Sequence, residues 1–380
     1  MKAKKLTMLL LLSILMTGCI EPEQIEKIGI INARGLDLEN DLLETTVVIY
    51  QFSSESDSIS KTRTGKGQTV RGAMEDTEHT TSFRLTPGKI KVEMFGKEIA
   101  KKGIFPYLDT LARDAQMSDM MYLTISDTTA KEILSIEENI LSKNVGQFLY
   151  ELIKNETTDQ NIPRKTVHEF FQIYYEVGQD NVLPVFEIHE DVPRQKSIAI
   201  LQDDKLVGEV SSENNILINL MDSTIKRQII EVTLPTEPFI AYKKKGEKHH
   251  HNDPFHTAYR IEKGNSKNKV VDGENLHFQT DTKIKLRLLE QSTKFSIKND
   301  QVLKLFEKEV EKKLTSDFYA LLEQLQELNA DPFGYGRYYR IYLKEQKDEK
   351  LTVARWREKF PKIKVDFNVD VEIIRHGIIN

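Results

Sequence analysis

Five stretches of this chain carry side chains able to do chemistry. Cys19 is the only cysteine, a lone thiol directly behind Leu15-Met16-Thr17-Gly18, so no disulfide can form within one chain. His249-His250-His251, with Asp253 and His256, offers imidazoles of the kind that bind Zn²⁺ or Ni²⁺. Adjacent histidines on a charged loop do not set a fixed tetrahedral geometry, so a solvated loop is the preferred reading and no metal is expected. Gly65-Lys66-Gly67 has the glycines and lysine of a phosphate cradle. It lacks the Gly-Lys-Ser/Thr ending and the apolar strand just before it, and reads as a flexible connection. Asp331, Gly334, Gly336 and Arg337 set a carboxylate and a guanidinium around two glycines. Either the first three shape a turn that ends a helix, the reading we prefer, or the stretch, with Tyr338 and Tyr339, meets a partner. Arg375 and Gly377 read the same two ways, as a strand terminus first and a partner contact second. There is no Gly-x-Ser-x-Gly elbow and no His-Glu-x-x-His. No catalytic residue is assigned from these motifs.

The thiol has a context of its own. Lys2, Lys4 and Lys5 precede an apolar run from Leu6 to Met16, and Thr17-Gly18-Cys19 follows. Such a segment reads as a secretory signal, too short to stay across roughly 30 Å of hydrocarbon. Leu15-Met16-Thr17-Gly18-Cys19 resembles the bacterial lipobox, whose cysteine receives a diacylglycerol and becomes the mature N-terminus; Met16 stands where leucine is preferred. Residues 1–18 are then a lipoprotein signal peptide, 19–28 a lipid anchor and spacer, and the lipid on Cys19 replaces any other cofactor. Each buried methylene contributes about 0.8 kcal/mol, so stable anchoring takes two acyl chains, which such a cysteine acquires.

The rest has the composition of an exported globular body. The chain has 380 residues, 39% hydrophobic and 30% charged, long enough for two or three domains. Met1–Gly18 holds three lysines and no acid, so removing it moves the formal net charge from −5 to −8. That argues against a nucleic-acid binder, which presents a basic surface.

In chain order, 28–31 and 45–52 read as strands flanking a turn-rich Gly35–Asn40, and 53–67 as a mobile loop. Helices are expected over 68–79, 104–112, 145–153 and 167–175, with strands over 89–94 and 121–125. Asp127 is placed to cap a helix carrying Ala130, Ile133 and Leu134. Pro184, Pro193 and the acidic Glu190-Asp191 suggest a boundary, which makes 29–190 one mixed α/β domain. The segment 194–242 then reads as a small middle domain with a hairpin at 197–210, a helix near 216–220 and strands at 229–234 and 239–242. The segment 255–380 forms a third domain. Its strands are expected at 257–262 and 283–288. Leu303, Phe306, Val310, Leu314, Phe318, Leu321, Leu325 and Leu328 give a long helix one apolar face, opposite Lys308, Glu311, Lys312 and Glu323. Val365, Phe367, Val369, Val371 and Ile373 alternate with polar residues, as in a half-buried strand near a sheet edge. The fold class is α+β, multi-domain, with mixed or antiparallel sheets and flanking helices.

Several of these stretches together carry a family likeness. Ala330-Asp331-Pro332-Phe333-Gly334-Tyr335-Gly336-Arg337, then Trp356, Phe360-Pro361, the alternating strand and Arg375-His376-Gly377, resemble the C-terminal region of the Ger(x)C lipoproteins. These are the C subunits of germinant receptors in endospore-forming bacteria. Lys205-Leu206-Val207-Gly208, Lys61 to Glu75, Glu98 to Asp114 and Thr128 to Leu134 also fit, so the likeness covers most of the chain. The tryptophan often found after the lipid cysteine, and the Trp and Gly after the hairpin, are missing here. The resemblance implies a non-enzymatic subunit on the outer surface of the spore inner membrane, assembled with two integral membrane subunits, one of them transporter-like. The alternative is a solute-binding lipoprotein that delivers a small nutrient to a transporter, an architecture that wants two similarly built lobes and a hinge.

Overall fold

Tight turns, rather than linkers, set the course of the N-terminal half. The computed structural model describes residues 27–50, 60–113, 117–242, 253–293, 295, 300–347 and 350–374. Strand β1 (Ile28–Glu39) runs to Asn40-Asp41, both at positive φ (50° and 62°), and returns as β2 (Leu42–Tyr50). Two left-handed residues match the right-handed twist of a hairpin, which is why Asn and Asp occupy them. Gly35 to Glu39, expected as turn, is therefore strand. β3 (Ser60–Gly67) extends the same sheet where a mobile loop was expected. The reason is visible at its glycines. A Cβ on Gly65 would lie 2.3 Å from the backbone nitrogen of Thr77, and one on Gly67 2.5 Å from that of Ala73. The polar, glycine-containing strand is what lets the helix Val70–His79 lie directly on it.

Further along come β4 (Arg84–Thr86), β5 (Val92–Phe95), β6 (Tyr122–Ser126), β7 (Val182–His189), β8 (Val192–Gln202) and β9 (Lys205–Ser211). The sheet order is β3-β2-β1-β5-β6-β7-β8-β9, with β4 also on β1. The centre is parallel and both flanks are antiparallel hairpins. Helices cover both faces, as a parallel centre requires. Ile99, Leu108, Leu111 and Phe170 pack on one face with Leu36, Val47 and Leu123; Ile133, Leu149 and Ile153 pack on the other with Ala33, Val48 and Met94. The helix Ala130–Leu134 is capped by Thr129, not Asp127. The buried Asp37 carboxylate accepts its N–H groups of Ala130 and Lys131 at 2.8 and 2.9 Å, while Asp127 pairs with Lys97 and Lys196.

The second sheet has the order β10 (Ile229–Leu234), β11 (Phe255–Asp272), β12 (His277–Gln291) and β13 (Lys364–Ile373). β13 lies parallel to β12 at the edge. The helix Asp300–Glu327 packs its apolar stripe, Phe306, Val310, Phe318 and Leu325 among them, into this core. Its other side is not wholly solvated as expected. Glu311 accepts the N–H of Val371 at 3.1 Å and Glu307 that of Ile373 at 2.9 Å. Carboxylates four apart on the helix thus match N–H groups two apart on the strand, and cover part of an edge that would invite pairing with another chain. Residues 239–242, expected as a strand, lie in the 3₁₀ element Glu237–Tyr242; Pro238, just before them, has no N–H to give a sheet.

The partition at 190 and 194 does not follow the sheets. Glu190 and Asp191, at φ 49° and 63°, form the tight turn between β7 and β8, with Ile188 opposite Pro193. A proline and two acids read as a linker; in space they are a hairpin. The 194–242 segment is divided in the same way, its hairpin completing the first sheet and its last strand opening the second. Strand β8 is buried on both sides. Ala199 and Leu201 belong to the N-terminal core, and Ile198 and Ile200 to the C-terminal one.

Candidate functional site

The long helix ends at Leu328-Asn329, where Asn329 takes φ 48°, the left-handed conformation that stops a helix. Ala330-Asp331-Pro332-Phe333 then lead into the helix Tyr335–Glu345, whose N-cap is Gly334 at φ 73°. A helix start leaves N–H groups without intrahelical partners. Here Asp331 takes them. Its carboxylate accepts Gly334 N–H at 2.8 Å, Gly336 N–H at 3.0 Å and the Trp356 indole N–H at 3.1 Å. Asp331 is fully buried. Burial pushes its carboxyl up to about 7, against the Gly336 N–H bond, and the nearby Asp180 charge adds to the rise.

The turn is tied to a distant segment. Asp180 N–H donates to the Asp331 carbonyl at 2.9 Å, and Asp331 N–H returns to Asp180 Oδ2 at 2.6 Å. Arg357 grips Asp180 with two bonds of 2.5 Å, reaches Asp203 at 3.1 Å, and donates to the Asn329 carbonyl at 3.1 Å. Burial works against the Arg357 charge, but Asp180 and then Asp203 outweigh it and raise its pKa. Gln179 donates to the Pro332 carbonyl and accepts from Arg337, which also faces Glu176 at 3.7 Å; Arg340 pairs with Glu176 as well. Gly178, at φ 99°, and Gly336 sit back to back. A Cβ on Gly336 would lie 2.4 Å from the Gly178 Cα and 2.7 Å from the Trp356 ring.

Of the residues singled out in the sequence, Asp331, Gly334, Gly336 and Arg337 are therefore brought together, facing the chain's own interior or its seam. Asp331, with no exposed surface, serves internal packing and is not open to a partner. Arg337 is half exposed. Cys19, Arg375, Gly377 and the three adjacent histidines lie outside the described residues. His256 bonds Thr233 through Nδ1, and among the described residues no group of three His, Cys, Asp or Glu side chains could hold a metal ion. Gly65-Lys66-Gly67 lies in β3, with Lys66 paired to Glu39. Gly178, Asp180 and Arg357 were not legible beforehand. They follow no periodic pattern and come together only in the fold.

Fold and site together define a class: an α+β body of two sheets whose cores meet on the two faces of one strand, bolted by an Asp–Arg seam. The solved GerBC protein has a similar fold, with a TM-score of 0.53 at 17% identity over 90% of this chain and 97% of that one. The family described as the spore germination protein N-terminal domain matches residues 21–188, and that described as spore germination B3/GerAC-like, C-terminal, matches 196–377. The spore germination protein GerQC of Bacillus cereus is 22% identical, with 99% of each chain aligned. This chain belongs to the GerAC-like family of spore germination proteins, the Ger(x)C type. The two family segments meet at the β7–β8 turn, inside one sheet. Among the described residues no helix is long and apolar enough to cross a membrane.

Proposed function

We propose that this chain is the lipid-anchored, non-enzymatic C subunit of a spore nutrient-germinant receptor. Cys19 carries the lipid and tethers the body to the outer surface of the spore inner membrane. Two integral membrane subunits, one transporter-like, complete the receptor and with it trigger germination. The observation that carries this reading over a solute-binding lipoprotein is the double burial of β8. Lobes that close on a solute have to move about a hinge; here the two cores grip opposite faces of one strand, and Arg357 clamps Asp180 across the seam. That geometry suits a rigid body that docks. The lipobox and the family match starting at residue 21 support the anchor.

Cross-linking in spore membranes followed by mass spectrometry tests the assembly. Recovery of two multi-spanning proteins, one transporter-like, is the expected result; recovery of no membrane protein from cells expressing this chain returns the solute-binding reading. Cys19→Ala tests the anchor. It is expected to move the protein out of the membrane fraction and impair germination, and undiminished retention in cells lacking the membrane subunits overturns the lipid tether.

A further inference from the structure

A more deeply buried arginine lies outside the seam and is less well served. Arg34 of β1 is 3% exposed, and its Nε donates to both oxygens of Glu93 on β5, at 3.1 and 3.0 Å. Its Nη2 is buried without a hydrogen-bond partner. Interiors avoid such unmet donors, because desolvation is not offset by a bond. Arg34 also lines a cleft of about 840 Å³ between the helices Val70–His79 and Phe105–Ala112, the size of a small-molecule site. Val70, Met74, Leu85 and Leu111 give the cleft an apolar lining.

The charges decide what kind of ligand fits. Glu93 already neutralises Arg34, and Arg113 is paired with Asp109 at 3.0 Å. Glu75, Glu78 and Arg71 complete the charged lining, so with Glu93 the acids outnumber the bases. A ligand carboxylate would meet Glu93 as a like charge in a desolvated place. An uncharged oxygen would not.

We propose that this cleft binds a small uncharged molecule with an apolar body and an amide- or ester-type carbonyl, whose oxygen accepts the unmet N–H of Arg34. The inference concerns the N-terminal sheet alone and does not depend on the assembly reading.

The test uses the full chain in a mild detergent, with N-acetyl-L-leucinamide as probe and N-acetyl-L-leucine as its charged counterpart, each titrated by ligand-observed NMR. The amide is expected to bind about tenfold or more tighter than the acid, whose carboxylate meets Glu93 as a like charge. Met74→Trp, at a half-buried position, fills the cleft and leaves the ion pair in place. Arg34→Met with Glu93→Met removes the donor and keeps the site neutral. Each is expected to weaken the amide about tenfold. Absence of amide binding at millimolar concentration, tighter binding of the acid, or wild-type affinity in a folded Met74→Trp overturns the proposal. If the double variant does not fold, Met74→Trp decides alone.

Discussion

Among the described residues, the arginine–carboxylate pairs Arg34–Glu93 and Arg357–Asp180 each hold a buried carboxylate, and they differ in how completely they are satisfied. Arg34 and Glu93 are direct neighbours on adjacent strands, bonded through the arginine Nε, with Nη2 left over. Arg357 and Asp180 stand 177 positions apart. There the arginine bonds two carboxylates and a carbonyl, and Asp180 also accepts the N–H groups of Asp331 and Asp203. Burial of charge alone therefore says little about purpose. The number of matched donors and acceptors separates a clamp from a group with capacity to spare.

The sharpest way to break the comparison is to remove one partner at the seam. Arg357→Met leaves Asp180, whose side chain is 3% exposed, without its counter-charge, and is expected to cost about 3–5 kcal/mol in urea unfolding. A loss below about 1 kcal/mol would sink the clamp reading.

Next comes pH. The Asp331 carboxyl, raised to about 7 by burial, binds its proton more tightly folded than unfolded. Its contribution is fully present below its unfolded value near 3.8 and is lost as pH rises through 7. Stability should fall between about pH 4 and 7, by on the order of 3 kcal/mol, measured as urea midpoints across that range. Glu93 and Asp37, also raised by burial, act in the same direction. Asp127 and Asp281, whose carboxyls are lowered by bonds to Lys196 and Asn368 first, change stability only in more acid solution. A rise in stability over that window refutes the assignment.

Gly336→Ala pushes a Cβ against Gly178 and Trp356 and is expected to cost about 1–3 kcal/mol. An unchanged urea midpoint would mean that the seam gives way easily. The smallest effect is expected at the other pair. Replacing Arg34 and Glu93 together by methionine should change stability by less than about 1 kcal/mol or raise it, because both desolvated charges leave at once. A loss as large as that of Arg357→Met would erase the distinction between the two sites.

What the sequence revealed tracks how local each signal is. The long helix was legible because its stripe from Phe306 to Leu325 repeats within a few residues, and the β8–β9 hairpin because Asp203-Asp204 punctuates two apolar runs. β11 and β12 were read short, since the parts missed carry Lys267 and Lys269 on one strand and Thr280, Asp281 and Thr282 on the other, where no apolar alternation marks them, although β13 pairs along that part of β12. β3 was hidden by the small and polar residues that let a helix lie on it. Within the candidate site, Asp331 and the two glycines announced a turn, which is one the fold uses. Their partners Asp180, Gly178 and Arg357 are fixed by tertiary contact, and no spacing in the chain points to them.

The double burial of β8 bears on how such a chain is made and shuffled. Synthesis delivers β7 before Ala199 and Leu201 arrive to cover their part of the N-terminal core, so the first half cannot finish folding until the residues 192–202 have emerged. For the same reason, relatives should not exchange halves freely at the turn 190–191. A recombinant joined there would take β8 from one parent and must fit its one face to a core inherited from the other, while its opposite face stays with its own. Exchange at that point would therefore be filtered by the fit of a single strand.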